Sequence, residues 1–142
     1  GFGYDSVYCR TDAAGTEYLH RDRLGSVVAL SNQVGGITAR YAYDPFGNTV
    51  VQGGAHNPFR FTGREHDEEV GLYHFRSRYY DPSSGRFLSE DPIGFFAGDP
   101  NLYAYALNNP TNLTDPDGQI VVVLVPLFLR GDARGDQGIS ER

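Results

Sequence analysis

The sequence predicts a mainly β chain of short antiparallel strands joined by Asp-Pro turns, with one short helix. Three observations carry that expectation. First, Asp-Pro recurs at Asp44, Asp81, Asp91, Asp99 and Asp115. Asp44-Pro45-Phe46-Gly47, Asp91-Pro92-Ile93-Gly94 and Asp115-Pro116-Asp117-Gly118 fit the type I turn in full: Asp accepts a backbone hydrogen bond, Pro pre-sets φ, and Gly relieves the exit. Second, the chain carries Gly 18 and Pro 8 beside Tyr 10 and Phe 9, a balance of turn formers and aromatics that favours strands over helices. Third, apolar residues alternate with period two between the turns.

The elements follow in order. Residues 1–20 hold Tyr4, Val7, Tyr8, Tyr18 and Leu19 around an Asp12-to-Gly15 turn, which reads as a hairpin. A strand over about 25–30 and a polar turn, Ser31 to Gly36, lead into a strand over 37–43. There Ala39, Tyr41 and Tyr43 share one face, and Thr38, Arg40 and Ala42 the other. After the Asp44 turn, Asn48 to Gln52 is a short strand, and Gly53 to Pro58 a linker. Phe59-Arg60-Phe61 opens a strand over 59–62. Glu65 to Glu69 is an acidic loop without the spacing of a calcium site, and reads as a solvated turn.

Alternation over 72–79 sets Tyr73, Phe75 and Tyr79 against Leu72, His74, Arg76 and Arg78. If the second face is enclosed, its two arginines and histidine need acidic partners. A further strand is expected over 86–89. Asp99-Pro100 suits the N-cap and first position of a helix near 100–107, which Asn108-Asn109-Pro110 would stop. Residues 120–129 are an apolar run interrupted by Pro126, about half the length a bilayer demands, and the polar, Gly-rich remainder is expected to be disordered.

Bulk properties narrow the function. A length of 142 residues allows one ordinary domain, and a formal charge of -6 argues against nucleic acid or an anionic membrane as partner. All twelve basic residues are arginine. Cys9 is the single cysteine, so no internal disulfide is possible and no cysteine-histidine spacing resembles a zinc site; no cofactor is expected. Methionine is absent, so the chain is expected to be a piece of something longer, and no secretion signal opens it. Arg130-Gly131-Asp132 and Arg134-Gly135-Asp136 spell an adhesion tripeptide, but three residues recur by chance in an Arg-only, Gly-rich tail. Asn112-Leu113-Thr114 fits a glycosylation acceptor, relevant only to a secreted eukaryotic protein.

Two longer strings carry a resemblance. "HRDRLGSVVAL" followed by "ARYAYDPFGN" resembles a YD repeat of the RHS type. "RFTGRE", "GLYHFRSRYYDPSSGRFLSEDPIG" and "NLYAYALNNPTNLTDPDG" resemble the RHS repeat-associated core domain of bacterial polymorphic toxins. That resemblance implies a fragment of an antiparallel β-sheet spiral, the β-cocoon that encloses a C-terminal toxin. It divides the chain into YD-repeat strands over 1–58, the core over 59–118 and a tail over 119–142.

It also implies autoproteolysis by an intramolecular aspartyl protease. The paired carboxylates would be Asp91 and Asp115, the supporting arginine Arg78, and the cut would fall between Gln119 and Ile120. The family usually places leucine before the cut, so an apolar seat would make leucine a better residue than Gln119 there. Residues 120–142 are too few for a catalytic toxin, so a trimmed or orphaned end is expected.

The implied partners are the chain's own C-terminal segment, upstream repeats of the same parent and a toxin-delivery apparatus, with secretion or delivery from a bacterium. Exposed sheet edges lead to an expectation of self-association. Two other readings stand beside the protease: a purely structural shell or plug, whose Asp-Pro motifs are turns only, and an adhesion or sugar-binding module.

Overall fold

The computed structural model describes residues 8–123. The apolar residues beyond Val123, both Arg-Gly-Asp tripeptides and the start of the first hairpin lie outside them.

Five strands form an antiparallel sheet in chain order: β1 (Cys9–Asp12), β2 (Gly15–Arg21), β3 (Val27–Asn32), β4 (Ile37–Tyr43) and β5 (Thr49–Gly53). One device makes three of its connections. Asp22 Oδ1 accepts the amides of Leu24 and Ser26, Asn32 Oδ1 those of Val34 and Gly36, and Asp44 Oδ1 those of Phe46 and Asn48. The short polar side chain thereby satisfies two turn amides that the ladder leaves unpaired. The alternation expected along β4 is present: Ala39 and Tyr41 are buried with Leu19, Val27 and Leu30 on one face of the sheet.

A second antiparallel sheet holds β6 (Glu65–Asp67), β7 (Leu72–Phe75), β8 (Arg78–Asp81) and β9 (Arg86–Phe87), and a short ladder joins β10 (Leu113–Thr114) to β11 (Val122–Val123). Phe61, Tyr73, Phe75, Tyr80, Phe87 and Tyr105 form its core. Ring centroids there lie between 4.7 Å for Tyr80 and Tyr105 and 6.4 Å for Tyr73 and Tyr80, the range in which offset and edge contacts are attractive. Tyrosine hydroxyls tie the two sheets together: Tyr80 donates to the Phe46 carbonyl at 2.6 Å and Tyr73 to that of Gly47 at 3.2 Å.

Four sequence expectations need correction. Residues 72–79 are two strands, because Arg76 takes a left-handed φ of 52° and Ser77 completes a tight turn. That turn shifts the parity, so Arg78 and Tyr80 point inward with Tyr73 and Phe75, while Tyr79 is exposed. Residues 59–62 are no strand: Phe59 makes one bridge to Glu65, and a 3-10 turn, Phe61–Gly63, carries Phe61 into the core. The acidic loop begins as β6, paired with β7, and Glu68 pairs with Arg60.

The helix near 100–107 does not form. Extended backbone at Tyr105 delivers its ring to the aromatic core, and left-handed Ala106, Leu107 and Asn108 follow, leaving only 3-10 turns at Gly94–Ala97 and Ala106–Asn108. Burial of that ring outweighs the helix that Asp99-Pro100 could start.

Candidate functional site

The shifted parity of β8 turns Arg78 into the protein, where its side chain is 2% exposed. A buried guanidinium needs its charge balanced and its donors occupied. Nε donates to the Gly118 carbonyl at 2.6 Å and Nη1 to that of Leu102 at 2.8 Å. Nη2 faces two carboxylates, Asp91 Oδ2 at 3.0 Å and Asp115 Oδ2 at 3.5 Å. The Phe87 ring closes the flat side, with its centroid 3.6 Å from Cζ, near enough for a cation-π attraction. Burial works against the Arg78 charge, and Asp91 and Asp115 offset it.

Asp91 divides its two oxygens between turn and site. Oδ1 accepts the Ile93 amide at 2.9 Å, as a turn aspartate does, which leaves Oδ2 for Arg78. The Asp91 amide meets the Leu102 carbonyl that Arg78 also uses, so one carbonyl positions both partners.

Asp115 departs from the turn device. Its Oδ1 takes the amide four residues onward, Gln119 at 2.9 Å, as the other turns do, but also reaches the amide of Ile120, five residues onward, at 3.1 Å. The chain can double back because Gly118 adopts φ 68° and lies against the β7–β8 turn; a Cβ there would meet the Phe75 carbonyl oxygen at 2.7 Å. Burial raises the Asp115 carboxyl above the usual carboxylate range, with the Gln119 amide and Arg78 opposing and Asp91 adding to the rise. Its side chain is 3% exposed, whereas the Ile120 residue on the far side of the bond is 60% exposed.

All five residues singled out from the sequence therefore converge: Arg78, Asp91 and Asp115 in one buried cluster, and the Gln119–Ile120 peptide on the Asp115 carboxylate. A cavity of about 10 Å³ adjoins them, lined by Arg78, Asp91, Asp115 and Gln119 among others, close to the smallest volume that admits one water. Asp44, which shares the Asp-Pro turn, lies outside the cluster and spends Oδ2 on the Asn48 side-chain amide at 2.6 Å. The carbonyls of Leu102 and Gly118 were invisible to sequence reasoning, because backbone acceptors carry no residue signature. Phe87 could have been suspected as an aromatic near the paired arginines, but only the sheet register places it under Arg78. Among the described residues no group of histidine, cysteine and carboxylate side chains could hold a metal ion, and no helix is long and apolar enough to cross a membrane.

The family model of the teneurin YD-shell matches residues 4–111. Toxin protein Tse5 of Pseudomonas aeruginosa is 44% identical over 110 residues, which are 76% of this chain and 8% of that protein. The tRNA nuclease WapA of Bacillus subtilis is 39% identical over 115 residues, 76% of this chain and 5% of that protein. Among solved structures, the TcdB2-TccC3-Cdc42 crystal structure superposes with a TM-score of 0.69 at 34% identity, covering 73% of this chain and 5% of that one. This chain thus spans less than a tenth of the length of each.

Proposed function

The chain belongs to the teneurin YD-shell family, and on that premise we propose that its core cuts its own chain between Gln119 and Ile120 as an intramolecular aspartyl protease. The observation that carries this reading is the shared position of Asp91 and Asp115 on one nitrogen of Arg78, with Asp115 also bound to the Ile120 amide.

The roles follow from the environments. Asp91, in the closer ion pair with Arg78, takes a proton from water. That water attacks the Gln119 carbonyl carbon. Asp115, whose buried carboxyl holds its proton more tightly, delivers it to the Ile120 nitrogen as the carbon–nitrogen bond breaks. The products are a Gln119 carboxyl and an Ile120 amine. The proton taken up by Asp91 balances the one Asp115 gave up, so the pair carries the same number of protons after the single cut. Arg78 keeps the two carboxylates close in spite of their repulsion, and its Nε bond to Gly118 fixes the peptide one residue before the cut.

Within the parent protein, residues 1–58 would be wall, 59–118 the closing core, and the segment after Gln119 the cargo freed inside. Partners are then the upstream repeats and that segment, with an apparatus that delivers the toxin from the bacterium. Tse5 and WapA carry toxin and nuclease in their names, which supports a toxin context here.

Intact-mass spectrometry of the parent chain tests the proposal. Two fragments meeting at Gln119–Ile120, formed at a rate independent of dilution, are expected, since acid, base and substrate share one chain. A structural reading draws on the same Arg78 cluster as a tie between turns. A parent that stays uncut at all pH values would leave that reading in place.

A further inference from the structure

We propose that Ser77 selects the residue on the amino side of the cut through a hydrogen bond that demands a donor at the end of the side chain at position 119. This rests on the cleavage reading above and adds its specificity.

Ser77 lies in the β7–β8 turn and is exposed, outside the aromatic core. Its Oγ donates to the Asp117 carbonyl at 2.5 Å, and its amide approaches the same oxygen at 3.3 Å. A hydroxyl has one proton, so a Ser77 Oγ committed to Asp117 offers only lone pairs outward. Gln119 meets them with Nε2 at 2.8 Å. The same reasoning fixes which end of the Gln119 amide faces Ser77, since its carbonyl end would set acceptor against acceptor.

The contact completes a row of restraints on the segment to be cut. Arg76 holds the Asp117 carboxylate at 2.6 Å, Arg78 the Gly118 carbonyl, and Asp115 the amides of Gln119 and Ile120. Ser77 adds an anchor on the Gln119 side chain. With amide and side-chain end both held, the rotation of the Gln119 carbonyl relative to Asp91 and Asp115 is restricted. The sequence resemblance suggested an apolar seat favouring leucine at this position. The amide end of Gln119 instead meets a polar acceptor. Leucine would leave it unused, and glutamate would oppose it with acceptors of its own.

The test follows cutting of the full chain by intact mass, and amide hydrogen exchange of Gln119 and Ile120 in an uncut Asp91→Asn background. Ser77→Ala and Gln119→Leu are each expected to slow cutting about threefold to tenfold, the loss of one neutral hydrogen bond. Ser77→Thr, which keeps the hydroxyl, should cut as the parent does. The double variant Ser77→Ala/Gln119→Leu should be no slower than either single one, since both remove the same contact. In the exchange arm, Ser77→Ala and Gln119→Leu should raise Ile120 exchange by a similar factor, and Ser77→Thr should not.

Faster cutting in Gln119→Leu, additive losses in the double variant, or Ile120 exchange indifferent to Ser77 would each overturn the proposal. A parent that is never cut while exchange shows the coupling would overturn the cleavage reading alone, with Ser77 remaining the contact that reads residue 119.

Discussion

Asp115 holds the amide of Ile120 at 3.1 Å on the oxygen that, in a turn aspartate such as Asp44, caps the turn's own amides. That difference sets Asp115 apart from Asp44 within one chain, and the proposed cleavage can be tested against it. Asp91→Asn and Asp115→Asn should each slow cutting at least about a hundredfold, the usual contribution of a positioned acid or base. Asp44→Asn should leave the rate unchanged, because Asp44 serves only its own turn. Intact mass after fixed incubation reads all three, and cutting in Asp115→Asn at the parental rate would remove Asp115 from the mechanism.

Acidity should govern both rate and stability through Asp115. Its folded carboxyl is held above the ordinary Asp value, chiefly by burial. Between the unfolded and folded values the folded chain binds the extra proton, so stability falls as pH rises across that window. The contribution is fully present below the unfolded value and lost on passing the folded one. Denaturant unfolding of an uncut Asp91→Asn chain should lose stability over this range, and adding Asp115→Asn should flatten the profile. Cutting should decline over the same range as Asp115 gives up its proton. A rate that rises throughout would contradict its role as the acid.

The fold class was legible because Asp-Pro turns and period-two alternation are local signals, and the β4 faces follow from alternation alone. The convergence of Arg78, Asp91 and Asp115 was reached only through the resemblance. Spacing could not show that a left-handed Arg76 would reverse the chain and flip Arg78 inward. The same turn defeated the assigned face of Tyr79. Tyr105 illustrates the other limit: its helix signal was real, but a non-local aromatic core competed for the side chain and won. Register and backbone acceptors depend on contacts far apart in sequence, where the pattern of types is silent.

Arg78 should be the most sensitive position of the cluster. Removing it leaves two carboxylates facing each other with little solvent, and breaking a buried pair from one side costs on the order of 3–5 kcal/mol. Arg78→Met should lower the denaturant midpoint accordingly, and Arg78→Lys should recover little, because one ammonium cannot reach the carbonyls of Gly118 and Leu102 together with both carboxylates. Combining Arg78→Met with Asp91→Asn should restore part of the loss by removing one unpaired charge. Strictly additive losses in the double variant would show that the charges do not communicate through Arg78.

Gly118 gives a backbone test of the same site. Alanine there must hold φ 68° and place its Cβ 2.7 Å from the Phe75 carbonyl oxygen. Gly118→Ala should therefore lift residues 115–120 from the β7–β8 turn, costing more than the ~1 kcal/mol of the left-handed conformation alone. Exchange of the Gln119 and Ile120 amides should rise and cutting should slow. Unchanged exchange at both amides would mean that the close approach of Gly118 does not seat the segment.

Self-association should follow from β5. Among the described residues β5 pairs only with β4, and Val50 and Val51 are 64% and 40% exposed along it. An edge strand with free backbone groups and two valines is a template for a further strand, whether from neighbouring repeats in a parent or from a second copy in isolation. The isolated chain should therefore show a sedimentation coefficient that climbs with concentration. Val50→Lys places a charge on that edge without touching the sheet core of Leu19, Val27, Leu30, Ala39 and Tyr41, so folding should persist while association weakens. Thermal unfolding controls for the fold. If the parent chain sediments as a monomer over the whole concentration range, the β5 edge is not adhesive. If Val50→Lys associates as strongly as the parent, the contact lies elsewhere.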